Sequence, residues 1–247
     1  MFFAFAFALG LALGSFLNVC IYRIPRGMSI IYPPSHCPSC GYRLSPLDNI
    51  PVLSFLILRG KCRYCGAKIS PRYPLVELLT GFLLLFLYAK TGLKMDFLFY
   101  LPLVACLVAL SFIDIDTRRL PDSLTLPLTA IGLALSFLPG AISPPASVLG
   151  IISGLLTLYL VAILGKALFK KEALGGGDIK LMMAVGAFLG VGGVFFSLFS
   201  GSILGSIVGI GVMAKKKENI IPFGPFLSAG ALLYLFAGKF TLSLLGF

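Results

Sequence analysis

Apolar runs long enough to cross a bilayer recur from one end of this chain to the other, and they leave room for few architectures. Segments near 1–22, 74–90, 96–113, 123–138, 146–168, 179–191, 194–213 and 223–245 read as eight spans. A helix needs roughly 17–25 residues to cross the hydrocarbon core, so the short, Gly-rich sixth segment is the marginal one. The Gly192-Gly193 pair predicts a tight turn after it. Gly186, Gly190, Gly201, Gly205 and Gly209 recur at helical spacing and predict close helix–helix contact in lipid. Only 12% of the residues are charged and 58% are hydrophobic, whereas a soluble domain carries about 25% charged residues. The surface must therefore be solvated by lipid. Continuous rather than alternating apolar runs exclude a β-barrel, which leaves an all-α polytopic membrane protein. The first segment, apolar from Met1 to about Tyr22 without a basic leader, reads as a retained span and not a removable signal.

Orientation follows from lysine and arginine. With the N-terminus outside, 17 of the 20 basic residues fall in inward segments. They run from Arg23 to Arg72, then Arg118 and Arg119, then Lys166, Lys170, Lys171 and Lys180, and finally Lys215 to Lys217. Lys90, Lys94 and Lys239 are left outside. The formal charge of +11 thus follows the membrane topology, and nucleic acid is not implied as a partner. The chain divides into a first span (1–22), a cytoplasmic insertion (23–73) and a membrane core (74–247).

An insertion of this size is too small to hold a large core, and domains on that scale commonly need a metal or a disulfide. It contains Cys37-Pro-Ser-Cys40 and Cys62-Arg-Tyr-Cys65, separated by 21 residues, each followed by a glycine that lets the chain turn. Two such knuckles deliver four thiolates tetrahedrally, which predicts a closed zinc site at Cys37, Cys40, Cys62 and Cys65. Arg43, Lys61, Arg63 and Lys68 are expected to offset its negative charge. Disulfides are the competing reading, and a cytoplasmic location disfavours them. The single histidine, His36, is expected to face solvent as a loop residue, and Cys20 and Cys106 to pack within spans.

With nine acids in the chain, each can be weighed. Asp48, Asp96, Glu172 and Glu218 fall in loops or at span ends. Glu77, near the inner end of the second span, is costly in hydrocarbon and calls for a partner, with packing or loop anchoring the first reading. Asp114, Asp116 and Asp122 lie where the third span meets the cytoplasm, and Asp178 closes Gly175-Gly176-Gly177-Asp178 just before the sixth. Three glycines permit unusual backbone shapes and leave room for an extended peptide beside the carboxylate. Taken alone, Asp178 can be a helix cap and the other run a charged loop. Together they put two aspartate motifs on one membrane face.

Ser–His–Asp and Cys–His machinery requires a free histidine, and HExxH is absent. Two carboxylates need neither. Held close, they share one proton, so that one activates water while the other protonates the scissile carbonyl. Asp114 and Asp116 would point about 200° apart on a helix, so one of them faces Asp178. Two other classes stay open on the residues: a transporter or channel, which would place carboxylates near the midplane, and an outward-facing thiol oxidoreductase, against which the charge distribution argues.

At these residues the sequence resembles the type IV prepilin peptidases, a branch of the GxGD membrane aspartyl proteases. Gly175–Asp178 with Ile179-Lys180-Leu181 is similar to the GxGD element, and Phe112 to Asp122 to the first-aspartate element. Gly14-Ser15-Phe16-Leu17-Asn18-Val19, continuing to Tyr22-Arg23-Ile24-Pro25, resembles the N-terminal signature, and the paired CxxC motifs the cytoplasmic insertion. The resemblance implies Asp114 and Asp178 as the catalytic pair, with Asp116 the alternative first aspartate. Lys180, Gly175 and Gly177 are supporting residues, Lys180 placing substrate or biasing the local field. It implies cleavage of a short basic leader from type IV prepilin or pseudopilin substrates, usually between Gly and Phe, at the cytoplasmic face of the bacterial inner membrane. N-methylation of the new amine by S-adenosylmethionine is implied as well, and no residue motif locates that cofactor.

Overall fold

The computed structural model describes residues 2–170, 175–215 and 221–244. Lys171, Glu172, Lys216, Lys217 and Glu218, weighed above, lie outside the described residues. The chain forms two compact units, Met1–Gly92 and Leu93–Phe247. No strand occurs among the described residues beyond two isolated bridges, His36 with Arg43 and Lys61 with Lys68.

The N-terminal unit holds α1 (Phe2–Arg23), the short α2 (Leu53–Ile57) and α3 (Arg72–Thr91). The packing of α1 on α3 depends on absent side chains. A β-carbon on Gly10 would lie 2.7 Å from Cα of Gly81, and one on Gly14 would lie 2.7 Å from Cα of Glu77. Lipid supplies no hydrophobic drive for two apolar helices to associate, so close backbone approach and hydrogen bonds must hold them. Asn18, buried on α1, donates to the Tyr73 carbonyl at 3.1 Å. At the end of α1, the buried Arg23 guanidinium donates to the Ser29 and Pro33 carbonyls at 2.9 and 2.6 Å. It thereby folds the start of the insertion back on the helix end.

The C-terminal unit contains α4 (Met95–Thr117), α5 (Asp122–Leu135), α6 (Pro144–Phe169), α7 (Gly176–Lys215) and α8 (Gly224–Leu244). Local chemistry sets their ends. Arg118 takes the left-handed conformation (φ 53°) and its N–H closes on the Asp114 carbonyl at 2.8 Å, which stops α4. Pro121 is extended and precedes α5, whose first residue Asp122 is an acid at the positive end of the helix dipole.

Among the described residues five helices, α1, α3, α4, α6 and α7, are long and apolar enough to cross a membrane, so the chain is a multi-pass membrane protein. The remaining apolar helices are α5, with 14 residues, and α8, with 21. The expected sixth and seventh spans are the two arms of α7, whose 40 residues stay helical except at Gly190 (φ 68°, ψ −169°). The break thus falls two residues before the expected turn: Gly192 and Gly193 stay helical. The positive φ is what only glycine adopts without cost, and Gly190 is where the backbone needs it.

The first arm of α7 is the centre of this unit. Gly186 faces Gly150 of α6 so closely that a β-carbon on either would collide with the other's carbonyl, and Gly154 abuts the Met182 carbonyl in the same way. Ser147 donates to the Ala187 carbonyl at 2.8 Å across the same seam. On another side Phe188 meets Phe99 of α4 with ring centroids 5.1 Å apart. In the second arm, a β-carbon on Gly201 would lie 3.0 Å from the Phe226 carbonyl of α8, whereas Gly205 and Gly209 make ordinary contacts.

Replacing Gly186 by Val is expected to wedge α6 from α7 and cost about 1–3 kcal/mol or more. Thermal unfolding of the detergent-solubilised protein measures it, and an unchanged transition would refute the close-packed seam.

Candidate active site and metal centre

The two expected carboxylates come from opposite ends of their helices. Asp114 sits in the last turn of α4 and is 5% exposed. Asp116 is exposed, as a half-turn offset on a helix requires. Asp178 lies in the first turn of α7, half-buried, where its Oδ2 accepts the Gly175 N–H at 3.3 Å. This is the reach-back of a capping box, a third helical residue holding the amide before the helix. The cap reading of Asp178 is therefore part of the geometry.

Asp114 is held by a residue that sequence reasoning did not single out. The Gly224 N–H, at the start of α8, donates to Asp114 Oδ2 at 2.9 Å within the protein interior. A β-carbon on Gly224 would sit 2.8 Å from that oxygen, so any side chain there would push the carboxylate away. The first amides of a helix have no partner within the helix and favour an anion. Gly224 stands between Pro222-Phe223 and Pro225 ahead of an apolar run, a helix-start signal legible in the sequence. Its partner, 110 residues away, was not.

Leu120, also unforeseen, ties these pieces together. A β-carbon on Gly177 would meet Leu120 Cβ at 2.8 Å, and one on Gly224 would meet its Cδ1 at 3.3 Å. Gly177 therefore makes room for Leu120, while Gly176 faces open space and Gly175 has Asp178 Oδ2 3.4 Å from its β-carbon position. Lys180 is engaged too. Its ammonium donates to both Asp122 oxygens at 2.7 and 2.6 Å, joining the start of α5 to the start of α7. The end of α4 and the starts of α5, α7 and α8 thus converge on one end of the bundle.

In the N-terminal unit, the four expected thiols lie within 4.8 Å of one another. The Cys37 and Cys65 sulfurs are 3.8 Å apart, the edge of a tetrahedron with metal–sulfur bonds of about 2.3 Å. The cluster can therefore hold a metal ion. The two knuckles repeat each other bond for bond. Cys37 N–H donates to the Tyr42 carbonyl and Gly41 N–H to Cys37; Cys62 N–H donates to the Ala67 carbonyl and Gly66 N–H to Cys62. Gly41 and Gly66 have φ of 70° and 69°. Tyr42 stacks on Tyr64 at 3.4 Å between centroids, one ring from each knuckle.

The thiols sit in unequal surroundings. Amides of Cys40 and Ser39 pull the Cys37 thiol down to about 6. The Ala67 amide favours the Cys65 thiolate, but burial and the neighbouring thiols outweigh it and push that group up to about 11. His36 is exposed, against the Pro34 carbonyl at 3.1 Å, and lies outside the cluster as expected. Arg63 departs from expectation. It pairs with the buried Asp48 at 2.7 Å instead of serving the thiolates. Ser45 and Arg63 together hold the Asp48 carboxyl below its ordinary range.

Glu77 has the anchoring role expected of it, accepting the Val52 N–H at 2.8 Å. Val52 has φ 61°, a conformation costly for a β-branched residue, and this bond fixes it in place.

These two units match two family models. Residues 8–91 match the Bacterial Peptidase A24 N-terminal domain, and residues 101–210 match the Type IV leader peptidase family. A protein of Neisseria gonorrhoeae named prepilin leader peptidase/N-methyltransferase is 39% identical, over 90% of this chain and 86% of its own length. Proteins of the same name from Aeromonas hydrophila and Pseudomonas putida are 38% and 35% identical, over 98% and 100% of this chain and 93% and 96% of their own. No solved structure matches. The chain belongs to the Type IV leader peptidase family.

Replacing Cys37 and Cys40 together by Ser is expected to abolish metal binding, read as loss of about one ion per chain by elemental analysis. Undiminished metal content would remove the cluster as its site.

Proposed function

We propose that this chain removes the basic leader from type IV prepilin or pseudopilin substrates at the cytoplasmic face of the bacterial inner membrane, and methylates the amine it exposes. The reading is supported by the family, by the relatives' name, and by one geometric observation. The start of α7, which carries Asp178, packs through Gly177 on Leu120 in the turn after the helix that carries Asp114, with a helix-start amide on the buried aspartate.

In this reading Asp114 and Asp178 hold one proton between them, and their titration belongs to the pair. The ionised member takes a proton from water as the oxygen attacks the scissile carbonyl. The protonated member donates to the carbonyl oxygen. The Gly224 amide keeps the Asp114 carboxyl oriented, while the open side at Gly176 leaves an extended peptide room to approach Asp178. Lys180 acts through Asp122 by holding α5 against α7, and exposed Asp116 is a supporting charge. A transporter would want its carboxylates near the midplane. Asp114 and Asp178 are both within one turn of a helix end.

The bias of lysine and arginine supports a cytoplasmic insertion and active site, with the N-terminus outside. In that reducing compartment the four-thiol cluster is read as a structural zinc site. The N-terminal unit also has a cavity of about 390 Å³, within the range of small-molecule sites. Its lining sets Asn49 and Ser35 beside Phe16 and three prolines. The methyltransferase in the relatives' name implies S-adenosylmethionine, which would supply the methyl group when bound.

Asp114→Asn and Asp178→Asn should each lower leader cleavage by at least about 10³-fold while the protein still inserts and folds. Mass measurement of a prepilin peptide after incubation reads both the cut and the methyl group, and substantial cleavage by either variant would remove that residue from the pair. Gly224→Ala should cost cleavage about 10²-fold with little change in unfolding temperature. Wild-type turnover in that variant would show that Asp114 needs no such support.

A further inference from the structure

Part of the insertion reaches back into the membrane-spanning helices. Val52 is bonded to Glu77, which also accepts from Ser15 of α1, and Glu77 is five positions inside the start of α3. That places its Cα about 7.5 Å along the helix. The apolar stretch beyond it, residues 78–89, has 12 residues and is about 18 Å long, well short of the roughly 30 Å hydrocarbon core. The bilayer must therefore extend past Glu77 towards Arg72. The cavity wall points the same way from α1: Asn49 and Pro51 line a cavity with Ala12, Ser15 and Phe16. Ala12 is 11 positions before the end of α1, about 16 Å into the span.

The helix that follows Val52 suits that depth. Leu53, Leu56 and Ile57 of α2 are 56%, 62% and 74% exposed. Phe55 turns the other way, 3.1 Å from the β-carbon position of Gly60 in the left-handed turn that ends the segment. Exposed Arg59 and Lys61 come directly after the apolar face, the arrangement by which interfacial helices bury apolar side chains and offer cations to anionic headgroups.

We propose that residues 49–59 form a re-entrant interfacial segment, with Leu53, Leu56 and Ile57 of α2 set among the acyl chains of the leaflet on the insertion side and Arg59 and Lys61 at its headgroups. The occupant of this apolar face is the protein's own bilayer. The segment anchors the cysteine knuckles to the membrane surface.

The chain has no tryptophan, so a single introduced one reports alone. Full-length Leu56→Trp is reconstituted into vesicles of phosphatidylcholine and phosphatidylglycerol, with or without bromine near the top of the acyl chains. The expected result is blue-shifted emission that loses more than about half its intensity to the brominated lipid. Tyr64→Trp, on the second knuckle, should emit as a water-exposed indole and respond to aqueous iodide. Red-shifted, iodide-quenched emission from position 56 would overturn the proposal. So would emission that turns blue only when a prepilin peptide is added, which would make the face a peptide-docking surface. Should Leu56→Trp fail to insert, Ile57→Trp reads the same face.

Discussion

A carboxylate at the edge of a membrane needs donors that the surrounding lipid cannot supply, and in this protein the first amide of another helix supplies one. The Gly224–Asp114 hydrogen bond joins α8 to α4 at the end where α7 begins. Much of the C-terminal unit serves that convergence. Leu120 fills the space that Gly177 and Gly224 leave, and the Lys180–Asp122 pair holds α5 to α7. The ion pair is partly exposed, so its value lies more in fixing two helix starts than in stability, since exposed pairs contribute little. Glycines recur here because a helix bundle in lipid associates through close packing, and neighbouring backbone meets Gly150, Gly154, Gly186 and Gly201 while Leu120 meets Gly177.

The N-terminal unit solves a different problem. A segment that buries few of its apolar residues is organised around four thiols, two matching turns and a stacked tyrosine pair. Two buried charges then tie it down. Arg23 collects carbonyls at the end of α1, and Glu77 captures the amide of a strained Val52 from within α3. A carboxylate and a guanidinium away from water are costly unless bonded, and both are bonded to backbone. These bonds give the polar residues in otherwise apolar helices a role in placing the insertion, apart from any in chemistry.

Several features of this arrangement were readable from the chain. Continuous apolar runs require helices because every backbone group in lipid must be bonded within its own segment. The CxxC spacing foretold the four-thiol cluster because each knuckle is local, closed by bonds across a few residues. The 200° offset between Asp114 and Asp116 separated a buried from an exposed aspartate because helix geometry is fixed. The α7 break lies away from the glycine pair that predicts it. Two adjacent glycines are a stronger turn signal than one, yet Gly190 carries the positive φ. Its β-carbon position, 2.9 Å from Ile142, shows that a packed neighbour also occupies that point. Likewise Arg63 looked like a counter-charge for the thiolates until Asp48, 15 positions earlier, proved to be its partner.

Membrane helices, knuckles, helix ends and the short list of acids able to do chemistry all depend on near neighbours and on solvent, and these the order of residues settles in advance. Which of those groups meet is a matter of packing. The amide that holds Asp114, the leucine between two glycines, the aspartate that takes Lys180 and the amide that takes Glu77 each come from another element. Such pairings leave no periodic trace in the chain, because they are fixed only when packed helices bring distant backbones within bonding distance.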